Sequence, residues 1–144
     1  MSDFHSIMNS VREFHQVFGL DYHEAPRADV GQRIIELRHR LMAEENDEYL
    51  EAAKNNDLVQ IADALGDKLY ILCGTIIAHG LQHKIVEVFE EIHRSNMSKL
   101  DESGQPVYRE DGKILKSKSY FLPDIAAVLY KEEAPPAANT MTAF

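Results

Sequence analysis

The sequence predicts an all-α helical bundle with a small C-terminal hairpin or loop, and three observations carry that prediction. Apolar residues recur at steps of three and four along four long segments. Each segment stops at a helix-ending signal, such as Gly19, Asn55-Asn56-Asp57 or Gly80. Only one short stretch, around Asp111-Gly112, carries a hairpin signature.

The first helix is expected over Phe4 to Phe18, where Phe4, Ile7, Met8, Val11, Phe14, His15 and Phe18 share helical spacing and Gly19 follows. Residues 20–31, with Asp21, Pro26 and Asp29, lack periodicity and read as an ordered loop. A long helix should begin near Val30 and reach about Lys54. Its apolar stripe of Ile34, Leu37 or Arg38, Leu41 and Met42 continues by helical steps to Glu45, Glu48 and Ala52. Asp57 caps the next helix, Leu58 to about His79, which is apolar nearly all round and belongs in the middle of a bundle. A fourth helix from about Gln82 to Leu100 should turn Ile85, Val88, Phe89 and Ile92 inward. The stretch 106–116 reads as the hairpin, and Pro123-Asp124 starts a last short helix through Tyr130.

The 144 residues fit a single domain over 1–130, followed by a flexible tail from Lys131 rich in Glu, Pro and Ala. No apolar run reaches the length of a membrane span and no secretion signal is visible, so the expectation is a cytoplasmic chain with no membrane partner. The lone Cys73 lies in an apolar run and should be a buried small hydrophobe. A net charge of −9 argues against a polynucleotide partner, which needs excess Lys and Arg. A small anionic ligand remains compatible with that charge if a metal supplies the positive field.

The acids are placed in a pattern. Glu44-Glu45-Asn46-Asp47-Glu48 lies on one helix and Asp63 and Asp67 on the next, separated by one tight turn that forces antiparallel packing. Glu48 and Glu45 stand about seven and ten residues before Asn55, and Asp63 and Asp67 about eight and twelve after it, so all four reach similar heights. Like charges at such spacing repel, and an all-oxygen set with no neighbouring His or Cys suits Mg²⁺ or Mn²⁺. A solvated acidic face is the competing account of any one of these residues. A di-iron bundle would need two Glu-x-x-His pairs, and only Glu90-Glu91-Ile92-His93 supplies one.

On these residues the chain resembles the all-α nucleotide pyrophosphohydrolases, the MazG-like superfamily that includes phosphoribosyl-ATP pyrophosphohydrolase and dimeric dUTPases. Glu44 to Glu48 matches the family's Glu-Glu-x-x-Glu, and Leu65-Gly66-Asp67-Lys68-Leu69-Tyr70 resembles its second helix. Ala64 stands where that helix carries a Glu, and Asp63, one position earlier, is the candidate replacement. The segment His93 to Lys99 extends the resemblance, which covers about residues 10–125, because relatives place an Asn and a Lys there against the triphosphate.

The resemblance implies a MazG-like bundle that hydrolyses a nucleoside triphosphate to the monophosphate and pyrophosphate with Mg²⁺ or Mn²⁺, assembled as a homodimer or homotetramer. Glu45, Glu48, Asp63 and Asp67 are the expected metal ligands, and Glu44 a further ligand or the base that orients the attacking water. Asn96, Lys99, Lys113 and Lys116 are candidate phosphate or sugar partners; Tyr120 and Phe121 are candidate base-stacking rings. Phe14, His15 and Phe18 could stack on a base from the first helix, although aromatic stripes at helical spacing are more often core, and His79 and His83 read as structural. Two other readings follow from the same residues: a phosphoribosyl-ATP hydrolase on the same metal site, and, given Ala64, a nucleotide-binding or interaction module without turnover.

Overall fold

The computed structural model describes residues 3–131, which form five helices: α1 (Phe4–Val17), α2 (Gln32–Lys54), α3 (Leu58–Ala78), α4 (Ile85–Met97) and α5 (Ile125–Tyr130). The all-α expectation therefore holds. Beyond the helices, the described residues contain only a single antiparallel bridge, Tyr108 with Ile114. The chain falls into two compact units divided between Ile85 and Val86, and the single domain expected over 1–130 spans both. The tail expected from Lys131 lies, after that residue, outside the described residues.

In the first unit, α1 starts where the Asp3 carboxylate accepts from the Ser6 amide at 2.8 Å, and α3 starts where Asp57 accepts from the Gln60 amide at 3.1 Å. Each cap satisfies an amide that the helix itself leaves open. Helix α2 begins two residues later than its apolar period suggests, because Gly31 adopts φ +86° and cannot continue a right-handed turn. The main packing is α2 on α3, with α1 laid on α3. Met8, Val11, Cys73, Ile76 and Ile77 make the buried cluster, with Ile85 packed at its edge. Each fully buried aliphatic side chain there contributes about 1.5–3 kcal/mol. Cys73 is fully buried, as expected, and burial pushes its thiol pKa up.

The loop between α1 and α2 is strapped across the C-terminal end of α3. The His23 and Arg27 amides donate to the Ile77 and His79 carbonyls at 3.0 and 2.8 Å. The His23 ring donates to the Ala78 carbonyl at 2.7 Å, and the His79 ring to that of Arg27 at 2.9 Å. The first three bonds go to carbonyls at the end of α3, and the fourth ties the His79 ring back to the loop, so His79 is structural, as the sequence suggests. Gly80, at φ +67°, is required here because a Cβ would overlap the Ala25 carbonyl.

Helix α3 departs from expectation in one respect. Its apolar surface is covered on only two sides, and Leu58, Leu65, Leu69 and Leu72 stay exposed along one stripe.

In the second unit, α4 is shorter at both ends than its period suggests, because residues 82–84 form a turn before it. Phe89 is 69% and Ile92 41% exposed, which corrects the inward-facing expectation for both. The buried residue of α4 is instead Ser95, whose hydroxyl donates to the Phe121 carbonyl at 2.9 Å. Ser98 accepts from the Phe121 amide at 3.1 Å and Ser117 donates to the Leu100 carbonyl at 2.6 Å, so hydroxyl bonds hold the return segment to α4. The expected hairpin is reduced to the Tyr108–Ile114 bridge, flanked by the Arg109 to Lys113 and Leu115 to Val107 backbone bonds. Asp124 caps α5 through the Ala127 amide at 3.0 Å.

Candidate functional site

The antiparallel pairing of α2 and α3 sets Glu45 among the other acids predicted to bind metal. Its carboxyl is pushed above its ordinary pKa, first by loss of solvent and then by the negative charges of Glu48, Asp67 and Asp63. One oxygen, Oε2, is sealed from solvent and has no hydrogen-bond partner. Leaving a buried acceptor unpaired costs about 1–3 kcal/mol, and more when it is charged. Glu48, Asp63 and Asp67 are exposed around it. Glu48 and Asp63 line a 410 Å³ cavity at the α2–α3 turn, whereas Glu45 and Asp67 open onto a second cavity of 360 Å³. Ala64 is buried at 3% exposure, and Asp63, one helical step round, carries the exposed carboxylate.

Among the described residues, no group of three or more His, Cys, Asp or Glu side chains meets metal-ligand geometry as it stands. The chemistry of the set nevertheless fits a hard divalent cation. Three carboxylates surround the orphaned Glu45 oxygen, and a cation would relieve both the repulsion among the four acids and that missing contact. Lys68 lies beside the cluster and donates to Asn46 Oδ1 at 2.7 Å, a cross-helix contact the sequence reading did not identify.

Glu44 is placed differently. It is exposed on the outer face of α2, 4.0 Å from Arg40, and lines neither cavity. In the second unit, Asn96 is exposed and its carbonyl accepts from the Lys99 amide at 3.2 Å. The Lys113 amide donates to Asp111 at 3.1 Å, leaving its side chain exposed. The Lys116 ammonium rests 4.8 Å over the Tyr120 ring, and Arg94 lies 4.4 Å over that of Phe121.

The 360 Å³ cavity runs from Glu45 and Asp67 to Phe14 and His15, which the sequence offers as core or base-stacking residues. Phe14 and Tyr70 form its aromatic wall, edge to face at 5.6 Å, and His15 and Arg38 line its floor. Arg38 is only 8% exposed. Its Nε donates to Thr75 Oγ1 at 3.1 Å and its Nη2 to the Ile71 carbonyl at 2.7 Å. Burial pulls its pKa down from the usual guanidinium value. His15 is 3% exposed, and its Nδ1 donates to the Asp21 carbonyl at 3.1 Å. Burial is the leading cause that lowers its pKa, so the ring is neutral and Nε2 is unprotonated at pH 7.

Gly74 makes room for both groups. A Cβ there would overlap Arg38 Nη2 and stand 3.0 Å from His15 Nε2. The signals for this site were present in the sequence: an arginine on the apolar stripe of α2 and a glycine inside the apolar α3.

A family model described as phosphoribosyl-ATP pyrophosphohydrolase matches residues 11–96. The chain is also similar to a solved structure from Exiguobacterium sp. 255-15, provisionally named an NTP pyrophosphohydrolase. That match has 24% identity and a TM-score of 0.48, covering 85% of this chain and 92% of that one. No curated protein matches the chain.

Proposed function

The chain belongs to the phosphoribosyl-ATP pyrophosphohydrolase family, hydrolases of phosphoric anhydrides, and from that premise we propose that it cleaves a nucleoside triphosphate to the monophosphate and pyrophosphate with a divalent metal. The observation that carries this reading is the sealed, unpaired Glu45 oxygen surrounded by three more carboxylates. Glu45, Glu48, Asp63 and Asp67 would hold Mg²⁺ or Mn²⁺, which when bound neutralises phosphate charge and lowers the pKa of a coordinated water.

The remaining roles belong to the chain's own side chains. Glu44 orients the attacking water, and its contact with Arg40, 4.0 Å between two exposed side chains, is weak enough to be exchanged for that task. Asn96, Lys99, Lys113 and Lys116 are the phosphate and sugar partners carried over from the sequence; the Tyr120 ring, a base-stacking candidate there, has its face against the Lys116 ammonium instead. The proposal includes a cytoplasmic homodimer or homotetramer. Its support is the exposed Leu58, Leu65, Leu69 and Leu72 stripe, an apolar face that a second copy would cover.

The match to a phosphoribosyl-ATP pyrophosphohydrolase model favours one alternative, the same hydrolysis on phosphoribosyl-ATP. The test is pyrophosphate release from ribo- and deoxyribonucleoside triphosphates and from phosphoribosyl-ATP, with Mg²⁺ or Mn²⁺ and then with EDTA. Release from triphosphates that stops on chelation supports the proposal. Release from phosphoribosyl-ATP alone supports the alternative. Metal-dependent binding without release would make the chain a non-catalytic nucleotide-binding module.

A further inference from the structure

The aromatic cavity contains a buried cation whose role the metal site does not explain. Arg38 lies seven residues before Glu45 on α2, and Gly74 lies seven after Asp67 on the antiparallel α3. The floor is therefore about 10 Å from the acidic mouth along the helix axes. That distance leaves space for a sugar between phosphates held at the mouth and a base at the floor. The cavity, at 360 Å³, is at the small end of the roughly 300–1,000 Å³ range of small-molecule sites. A second cavity of 210 Å³ adjoins it, sharing His15, Leu20, Arg38 and Leu41.

Arg38 has no carboxylate partner for its charge among its hydrogen bonds: Nε and Nη2 bind a hydroxyl and a carbonyl. Nη1 has no hydrogen bond, yet it is not among the side-chain atoms sealed from solvent without a partner, so it remains accessible from the cavities that Arg38 lines. Arg38 thus brings a charged group with two uncommitted N–H donors to the lining of a space that Phe14 and Tyr70 also line. The fixed bonds to Thr75 and Ile71 hold the guanidinium plane in place before any ligand arrives. Such a preformed donor pair favours a carbonyl oxygen, which offers two lone pairs, over an exocyclic amine, whose own N–H groups would oppose it.

We infer that this cavity is the base subsite and that Arg38 selects bases bearing a carbonyl oxygen beside a ring N–H, uracil, thymine or guanine, over adenine. The inference rests on the proposed triphosphate hydrolysis, and it separates that reading from phosphoribosyl-ATP, whose base is adenine. His15 flanks the guanidinium and offers Nε2 as an acceptor for the ring N–H beside the carbonyl. Gly74 keeps the space both groups occupy, so Arg38, His15 and Gly74 form one specificity device.

The experiment measures kcat/KM for UTP, GTP and ATP with Mn²⁺, and in parallel the equilibrium binding of the same nucleotides, for the natural chain, Arg38→Gln and Gly74→Ala. Arg38→Gln shortens the donor while keeping a polar group near Thr75. Gly74→Ala retains the charge but displaces the flexible end of Arg38. The expected result is at least about a tenfold preference for UTP or GTP over ATP, one hydrogen bond's worth, falling toward unity in both variants. Melting curves identify any variant that fails to fold, and Gly74→Ala then decides.

A natural chain that prefers ATP, or a preference unchanged by both variants, overturns the inference while leaving triphosphate hydrolysis standing. If no nucleotide releases pyrophosphate, the hydrolysis reading falls, and the binding ratio decides the base subsite by the same criterion. Binding to none of the three overturns both.

Discussion

Arg38 and Glu45 occupy the same stripe of α2, two turns apart, and their buried polar atoms are treated in opposite ways. At the Arg38 level the guanidinium donates to Thr75 and Ile71, and the neighbouring His15 donates to Asp21. At the Glu45 level one oxygen has no partner and the neighbours that reach it are all acidic. The first arrangement fixes each group through bonds within the chain. The second is unfavourable by itself and becomes favourable when a cation arrives, a pattern typical of sites where stability is given up for function.

That contrast can be broken most sharply at the acids. Asp67→Asn and Glu48→Gln should each lower turnover by at least about 100-fold while the far-ultraviolet helical signal and melting temperature remain close to those of the natural chain. A steady-state pyrophosphate assay beside a thermal melt checks both halves. Full activity in either variant would remove the metal assignment.

The next largest effect should come from the satisfied level. Arg38→Ala deletes a buried side chain together with its bonds to the Thr75 hydroxyl and the Ile71 carbonyl, costing about 2–4 kcal/mol of stability. Denaturant unfolding reads this directly. A loss below about 0.5 kcal/mol would mean that Arg38 is not fixed as described.

Glu45→Gln should act in the opposite direction on stability. Its folded-state pKa is raised above the ordinary 4.5, so the folded chain holds that proton more tightly than the unfolded chain does. The metal-free fold therefore loses stability as pH rises from about 4.5 through the raised value. The amide removes that part of the pH dependence, and in EDTA at neutral pH it should raise the melting temperature by a few degrees, on the order of 2–4 °C. Turnover should be lost in the same variant. Unchanged melting across pH would show that Glu45 is ordinarily solvated.

A smaller change tests the exposed stripe on α3. Leu69→Glu should shift the assembly toward the monomer in light scattering, with helical content retained, if a second copy covers Leu58, Leu65, Leu69 and Leu72. A monomeric natural chain would contradict that part of the proposal.

The five helices were legible because their apolar periods and caps are local signals. Asp57 and Asp124 cap where the sequence says they should, and Gly19 and Gly80 follow the helix ends. The four metal-binding candidates were legible because helical spacing and a short turn set their heights without further information. Phe89 and Ile92 were misread because an amphipathic period identifies an apolar face but does not identify what covers it. The Arg38–His15–Gly74 device was missed for a different reason. It is assembled from α1, α2 and α3 by tertiary packing, and nothing in the sequence separates a cavity-lining aromatic such as Phe14 from a core one.

The central claim is that the α2–α3 acids bind a divalent cation, and Mn²⁺ titration followed by electron paramagnetic resonance tests it most directly. The account predicts that the natural chain depletes the free Mn²⁺ signal saturably, and that Glu45→Gln and Asp67→Asn largely abolish this depletion while remaining folded. Equal depletion by the natural chain and both variants, or none by the natural chain with or without a nucleoside triphosphate, would contradict it.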